Sequence, residues 1–155
     1  MKILKCTIAC GLSILLFWGC SGENATLDLI SVSVERVVSG QTLEVIFDGE
    51  LTRARIVGID LPKSLDEVGK SAAKQRLAEL VGHATVQLEL ETEERDRYNR
   101  LLTHVWHNDF LVSEELLKEG YVIVNSKYPH KYSQELFHAQ EYARILGYGV
   151  WATKY

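Results

Sequence analysis

Alternating apolar and polar positions predict two strands joined by a hairpin at the start of the domain. SVSVERVV is rich in β-branched residues, and TLEVIFD places Leu43, Val45 and Phe47 on one face. Asp48-Gly49 follows directly and predicts a two-residue turn, because glycine tolerates the positive φ of a type I′ hairpin. The chain is therefore expected to return antiparallel to TLEVIFD.

The return strand, LTRARIVGI, is predicted to run to about Ile59. Side chains alternate with a period of two along a strand, so Arg53 and Arg55 are expected on one face. Pro62 interrupts the sheet pattern, and apolar residues at helical spacing then predict a helix over about residues 67–81.

The second half of the chain mixes strand and helix patterns. ATVQLELE is the clearest alternating strand, ETEERDRYN is predicted to be a charged loop, and RLLTHVWH is predicted to be the fifth strand. LVSEELLKE predicts a short helix, and the segment from Ser133 to Leu146 predicts a longer amphipathic one. The order β-β-β-α-β-β-α-α fits an α+β fold, a five-stranded OB-fold barrel with about three packed helices.

The first twenty residues differ from the rest of the chain. Two lysines precede the apolar run from Cys6 to Trp18, which has the length of a signal-peptide core and is short of the roughly 20 residues that span a bilayer. We therefore expect residues 1–20 to be a signal peptide, residues 21–30 a short tether and residues 31–155 the folded domain.

Cys20 follows a small residue at the end of the apolar run and resembles the lipid-modified cysteine of a bacterial lipoprotein. Acylation would explain why Cys20 stands alone after processing, since Cys6 and Cys10 lie in the removable segment. The alternative is a residue that merely lies near a cleavage site or near the end of a retained anchor. The expectation is export, as an envelope lipoprotein held in the membrane by a lipid on Cys20 or as a secreted protein.

The charge balance argues against a broad nucleic-acid-binding surface. The formal net charge is −4, and removal of residues 1–19, which carry two lysines and no acid, changes it to −6. Proteins that hold nucleic acid by its phosphates usually carry a basic field. The same charge balance is compatible with a small local basic site.

Several linked segments resemble the staphylococcal nuclease (thermonuclease-like) family over about residues 34–151. In chain order they are VERVVSGQTLEVIFDGE, RARIVGIDLP, DRYNRLLTHVW, LVSEELLKEGYVIV and ARILGYGVW. The resemblance implies the barrel described above. It also implies the activity of members that cut DNA or RNA, which is calcium-dependent phosphodiester hydrolysis.

The resemblance gives roles to three residues of this chain. Arg55 and Arg100 match the two arginines that hold the phosphate, and Asp60 matches one of two metal-binding aspartates. A phosphodiester is anionic and repels an attacking hydroxide, so positive charge must gather around it. The planar fork of arginine donors suits a phosphate, and calcium, the cofactor of an active member, prefers carboxylate and other oxygen ligands.

Three other family positions are altered. Gln41 stands at the second metal-ligand position, Lys63 stands at the position of the glutamate base, and Leu61 replaces a threonine. Gln41 offers only a neutral oxygen, so calcium affinity should fall. A protonated lysine accepts no proton from water, and Lys63 is expected either to repel a cation beside Asp60 or to pair with Asp60 and close the site.

Two hypotheses follow for the function. The favoured one is a degenerate nuclease-fold protein of the cell envelope, which binds single-stranded nucleic acid, another anionic ligand or a protein without hydrolysis. The alternative is an active or weakened calcium-dependent extracellular nuclease, because Arg55, Asp60 and Arg100 occur together. An oligosaccharide-binding barrel is a third possibility, for which the sequence offers no specific pattern.

The five histidines do not predict a zinc site. His104 and His107 are three residues apart, which is not a same-face spacing on a strand. His130 and His138 lie in a loop and a helix, and no cysteine accompanies them.

Overall fold

A computed structural model of the protein describes residues 28–127 and 129–152. The predicted signal peptide, Cys20 and most of the predicted tether lie outside the described residues. Within the described part of the chain, no helix has both the length and the apolar character needed to cross a membrane.

Short strands and three α-helices alternate along the described residues. The first half contains β1 (Ile30–Ser39), β2 (Thr42–Phe47), β3 (Glu50–Ile56), β4 (Ile59–Asp60) and α1 (Glu67–Val81). The second half contains β5 (Thr85–Arg95), β6 (Leu101–His107), β7 (Phe110–Leu111), α2 (Val112–Lys118), β8 (Ile123–Val124) and α3 (Ser133–Leu146), followed by a 3-10 turn (Gly149–Trp151).

Five of these strands close into a barrel. The sheet order is β3-β2-β1-β5-β6-β7, and β3 also pairs with β6 in parallel, which joins the two sides. The closing register sets Ala54 beside Leu101 and Arg55 beside Leu102. The predicted α+β class, with a five-stranded OB-fold barrel and three packed helices, is therefore confirmed.

The predicted Asp48-Gly49 turn is confirmed, and single residues also fix the ends of two helices. Asp48 and Gly49 both have positive φ, of 51° and 82°, and join β2 to β3. Asp66 caps α1 by accepting the backbone N–H of Gly69 at 2.8 Å. Gly147 ends α3 in the left-handed conformation, where a side chain would be strained.

Two predicted boundaries are wrong. The return strand does not run unbroken to Ile59, because Gly58 has a φ of 80° and turns the chain after Ile56. As a result, β4 leaves the barrel sheet and pairs with β8. The first part of the segment predicted as a charged loop, residues 91–95, is instead the end of β5, which pairs with Leu101 at Arg95, and only residues 96–99 form the turn. Its exposed side chains lack the apolar alternation that marks a half-buried strand.

The core lies between the barrel and the helices. Fully buried side chains come from both, and they include Leu43, Leu88 and Leu101 from the barrel and Leu77 and Leu116 from α1 and α2. Burial of one such side chain stabilises the fold by roughly 1.5–3 kcal/mol. This packed core supports the end of the barrel where β3 and β6 meet.

Candidate functional site

A cavity of about 810 Å³ opens beside the junction of β3 and β6. Its wall includes Gln41, Arg55, Asp60 and Arg100, so four of the positions singled out in the sequence come together. Lys63 is not part of this wall.

Arg55 reaches the cavity from β3 with only 10% of its side chain exposed. Its guanidinium donates to the carbonyl oxygens of Ile56 and Ile59, and its Nη2 lies 2.5 Å from Oδ1 of Asp60. Burial lowers the pKa of Arg55, the charge of Asp60 opposes this change, and the nearby positive charge of Arg100 adds to it. Both arginines line the same cavity.

A tight turn between β5 and β6 positions Arg100. Asp96 Oδ1 accepts the backbone N–H groups of Tyr98 at 2.9 Å and Arg100 at 3.0 Å, while Asn99 adopts a φ of 60°. Asp96 Oδ2 also accepts Nε of Arg100 at 2.8 Å and Nη2 at 2.6 Å. Burial alone would raise the pKa of Asp96, but these hydrogen bonds outweigh it and lower the pKa.

The altered family positions form a different network from the expected one. Oε1 of Gln41 accepts the backbone N–H of Leu61 at 3.1 Å, so this oxygen already serves the turn after β4. Lys63 is exposed and makes no ion pair with any described residue. Asp60 pairs with Arg55, whose guanidinium is held beside β4, and not with Lys63.

The cavity wall carries equal numbers of positive and negative side chains. The basic ones are Arg55, Arg97, Arg100 and Lys127, and the acidic ones are Asp60, Glu91, Glu93 and Asp96. The formal charges cancel, so the cavity wall as a whole does not form a basic field. Positive charge is local to the guanidinium groups.

Sequence reasoning missed a second group of side chains, of which Glu91 and His130 line the same wall and His104 is buried behind them. Glu91, His104 and His130 each offer a potential metal ligand, and these ligand atoms lie within 4.8 Å of one another. Burial lowers the pKa of His104, against the opposing hydrogen bond with Glu91, and burial also lowers the pKa of His130. Pairing of β5 with β6 is the one part of this arrangement that the strand pattern indicates, and it brings Glu91 near His104. His130 comes from a distant segment, and no sequence signal indicates its position.

Comparison with known proteins identifies relatives along most of the chain. Residues 53–153 match the sequence model of the family described as "Staphylococcal nuclease homologue". A thermonuclease of Staphylococcus hyicus is 32% identical over 127 residues, which cover 77% of this chain and 75% of that protein. The SPbeta prophage-derived endonuclease YokF of Bacillus subtilis is 33% identical over 121 residues, covering 70% of this chain and 40% of its own length.

These matches, together with the barrel, define the class of protein. The chain belongs to the staphylococcal nuclease homologue family and is a nuclease-like domain. Endonuclease YncB of Bacillus subtilis is a further relative, 35% identical over 99 residues, which cover 59% of this chain. The matched region spans three quarters of the thermonuclease and less than half of each Bacillus endonuclease.

Proposed function

We propose that this domain binds an anionic ligand of the nucleic-acid type through Arg55 and Arg100 and does not hydrolyse phosphodiester bonds. The observation that carries the proposal is the ion pair between Arg55 and Asp60, whose closest atoms are 2.5 Å apart. The carboxylate that would serve a metal ion already neutralises an arginine. The proposed domain therefore keeps an arginine site without a matching metal site.

The residues around Asp60 do not fit a calcium ion. Calcium takes six to eight oxygen ligands, usually with several carboxylates among them. Among the described residues, Asp60 does not belong to any group of three metal-ligating histidine, cysteine, aspartate or glutamate side chains. The second ligand position carries Gln41, whose side-chain oxygen accepts a backbone hydrogen bond. We therefore assign no step to calcium.

A general base is also lacking at the expected position. Lys63 lies in an exposed turn, and an ammonium group has no lone pair with which to take a proton from water. Its ammonium group also opposes the approach of a cation. Both features favour binding over hydrolysis.

Arg100 and Tyr98 are the groups best placed to meet an incoming ligand. Nη1 of Arg100 makes no hydrogen bond to any described residue, so one edge of the guanidinium is available to a phosphate. Tyr98 is 65% exposed, and the guanidinium carbons of Arg97 and Arg100 lie 4.8 and 5.5 Å from its ring centre. An exposed ring beside two arginines suits a base of a single strand, since stacking requires no particular sequence.

We also propose that the domain is held at the cell envelope by a lipid on Cys20. The support is the charged start, the apolar run and the small residue before the cysteine. Mass spectrometry of the protein from membranes should find an acylated N-terminal Cys20, and Cys20→Ser should move the domain out of the membrane fraction. Retention of Cys20→Ser in membranes would contradict the proposal.

The deciding experiment measures cleavage and binding on the same purified protein. Single-stranded DNA and RNA are incubated with calcium or with a chelator, and binding of a labelled oligonucleotide is measured in the chelator. We expect binding without cleavage in either condition. Calcium-dependent cutting that disappears in Arg100→Ala would overturn the proposal.

A calcium-dependent nuclease is the second candidate. It is favoured because Arg55, Asp60 and Arg100 line one cavity and because relatives at about a third identity are named as nucleases. In that case Asp60 would serve the metal, and its removal would abolish cutting. Under the binding proposal the effect is the opposite, since removal of the Asp60 carboxylate should strengthen binding of the anion.

A further inference from the structure

Three side chains from separate parts of the chain meet beside the arginine site. Glu91 lies on β5, His104 lies on β6, and His130 lies in the segment that leads into α3. We propose that Glu91, His104 and His130 bind a divalent transition-metal ion of the zinc class. The site is separate from Asp60, and the proposal holds whether or not the domain cuts nucleic acid.

His104 supplies the buried part of the site. Only 1% of the residue is exposed, and its Nε2 lies 2.7 Å from Oε1 of Glu91. Its Nδ1 is buried and has no hydrogen-bond partner among the described residues. The ring is held by packing, with the Tyr132 ring edge-on and the two ring centres 4.7 Å apart. Its one hydrogen bond to a described residue is the contact with Glu91, which an ion between the two groups would replace.

His130 is positioned by the start of α3. Its backbone N–H donates to Oγ of Ser133 at 2.9 Å, and Ser133 Oγ donates back to its carbonyl oxygen at 2.7 Å. The ring centre lies 5.1 Å from that of His104. Nδ1 of His130 accepts the N–H of Tyr132 at 3.2 Å, and metal binding would give up this long bond because a neutral imidazole has one lone pair.

The spacing is within reach of a coordinated ion. Zinc bonds to imidazole and carboxylate are about 2.0–2.2 Å, so ligand atoms around a tetrahedral ion lie about 3.3 Å apart. The widest pair of the group, within 4.8 Å, would close by about 1.5 Å. Glu91 has more freedom to move than His104, since its side chain is 27% exposed and that of His104 is 2% exposed, and its carboxylate must draw back slightly from Nε2 of His104, which is 2.7 Å away.

The ligand set selects the class of ion. Imidazole nitrogens suit zinc, cobalt, nickel and copper, whereas calcium and magnesium prefer oxygen throughout. Two histidines and one glutamate are a zinc set that leaves a fourth position open. Glu91 and His130 line the cavity, so this position faces the space shared with Arg55 and Arg100.

The test uses cobalt as a spectroscopic probe of the whole chain. The three cysteines are alkylated first, so that thiols at Cys6, Cys10 and Cys20 do not bind the metal. After chelator treatment, one equivalent of cobalt should produce ligand-field absorption typical of four or five ligands, and zinc should remove it. Glu91→Gln and His130→Gln should each weaken binding by about 100-fold or more, beyond the usual effect of an outer-shell change.

His138→Gln is the matched control, because His138 is exposed on α3 and lies outside the group. It should bind cobalt like the unaltered chain. Circular dichroism in chelator shows whether each variant is folded, and the partly exposed Glu91 and His130 carry the test if a His104 variant unfolds. Cobalt that stays fully hydrated in the unaltered chain would overturn the proposal, as would Glu91→Gln and His130→Gln variants that bind cobalt as tightly as the unaltered chain does.

Discussion

Nη2 of Arg55 and Oδ1 of Asp60 are 2.5 Å apart at the edge of the cavity. The side chain of Arg55 is 10% exposed and that of Asp60 is 39% exposed, so the carboxylate covers the buried cation from the solvent side. A phosphate that approaches Arg55 must compete with Asp60 for the same donors. This relationship makes Asp60 the residue whose replacement best separates binding from metal-dependent hydrolysis.

Asp60→Asn should increase affinity for a labelled single-stranded oligonucleotide by several-fold. The change removes the negative charge that competes with phosphate, while Arg55 keeps its backbone acceptors. It should also lower the free energy of unfolding by about 1–2 kcal/mol, since a charged hydrogen bond is lost but Asp60 is partly solvated. Fluorescence anisotropy and urea unfolding measure the two effects.

Asp48→Asn provides the control for charge alone. Asp48 is exposed in the β2–β3 turn, where asparagine also accepts positive φ. It should leave oligonucleotide affinity nearly unchanged. Loss of binding, or of calcium-dependent cutting, in Asp60→Asn would favour the nuclease alternative.

Arg100→Ala should weaken oligonucleotide binding by about tenfold or more, the size expected for hydrogen bonds to a charged group. Arg100→Lys should restore part of the affinity, because lysine keeps the charge and loses the planar fork. Arg36→Ala removes one exposed positive charge from β1, outside the cavity wall, and is the control. Equal effects of Arg100→Ala and Arg36→Ala would contradict a specific site.

Acid should destabilise the domain in part through Asp96. Its pKa is lowered in the folded state by the hydrogen bonds from Arg100 and from the backbone, which outweigh the opposite effect of burial. The unfolded chain therefore binds the proton more readily. The contribution of Asp96 is complete above its unfolded pKa of about 3.9 and is lost as the pH falls through its lower folded value.

Urea unfolding at a series of pH values checks this prediction. Asp96→Asn should be less stable than the unaltered chain at neutral pH, by about 1–2 kcal/mol, because the charged bonds to Arg100 are lost. The difference should shrink as the pH falls below about 4. Parallel stability curves for the two proteins would show that Asp96 does not contribute in this way.

Gly120→Ala should destabilise the fold by about 3 kcal/mol or more. Gly120 has a φ of 73°, and an added Cβ would strike the carbonyl oxygen of Tyr148 in the rigid turn after α3. Gly49→Ala is the matched control, because Gly49 has a φ of 82° but no atom within 4 Å of the new Cβ. It should cost roughly 1–2 kcal/mol from backbone strain alone. Equal losses in urea unfolding would exclude the steric contribution at Gly120.

The sequence alone predicted the features that depend on a few neighbouring residues. Asp48-Gly49 turns the first hairpin, and the helix predicted over residues 67–81 has those bounds. The order of strands and helices, with linked family segments, also predicted the barrel. Backbone preferences and apolar alternation act over short distances, so they can be recognised before the chain is folded.

Other features depended on contacts between distant segments. Gly58 ends β3 early, and β4 beyond it pairs with β8 from the second half of the chain. β5 runs on to Arg95 because it pairs there with β6. No periodicity indicates that Asp60 pairs with Arg55 instead of Lys63.

The group of Glu91, His104 and His130 shows the same limit most clearly. Its members are separated by 13 and 26 residues along the chain, and barrel formation and the docking of α3 bring them together. Sequence spacing shows which side chains share a face of one strand or helix. A site built from two strands and a loop depends instead on how these elements pack together. The sequence thus determined the barrel and its candidate arginines, and the tertiary structure decided which charges pair and where the histidines meet.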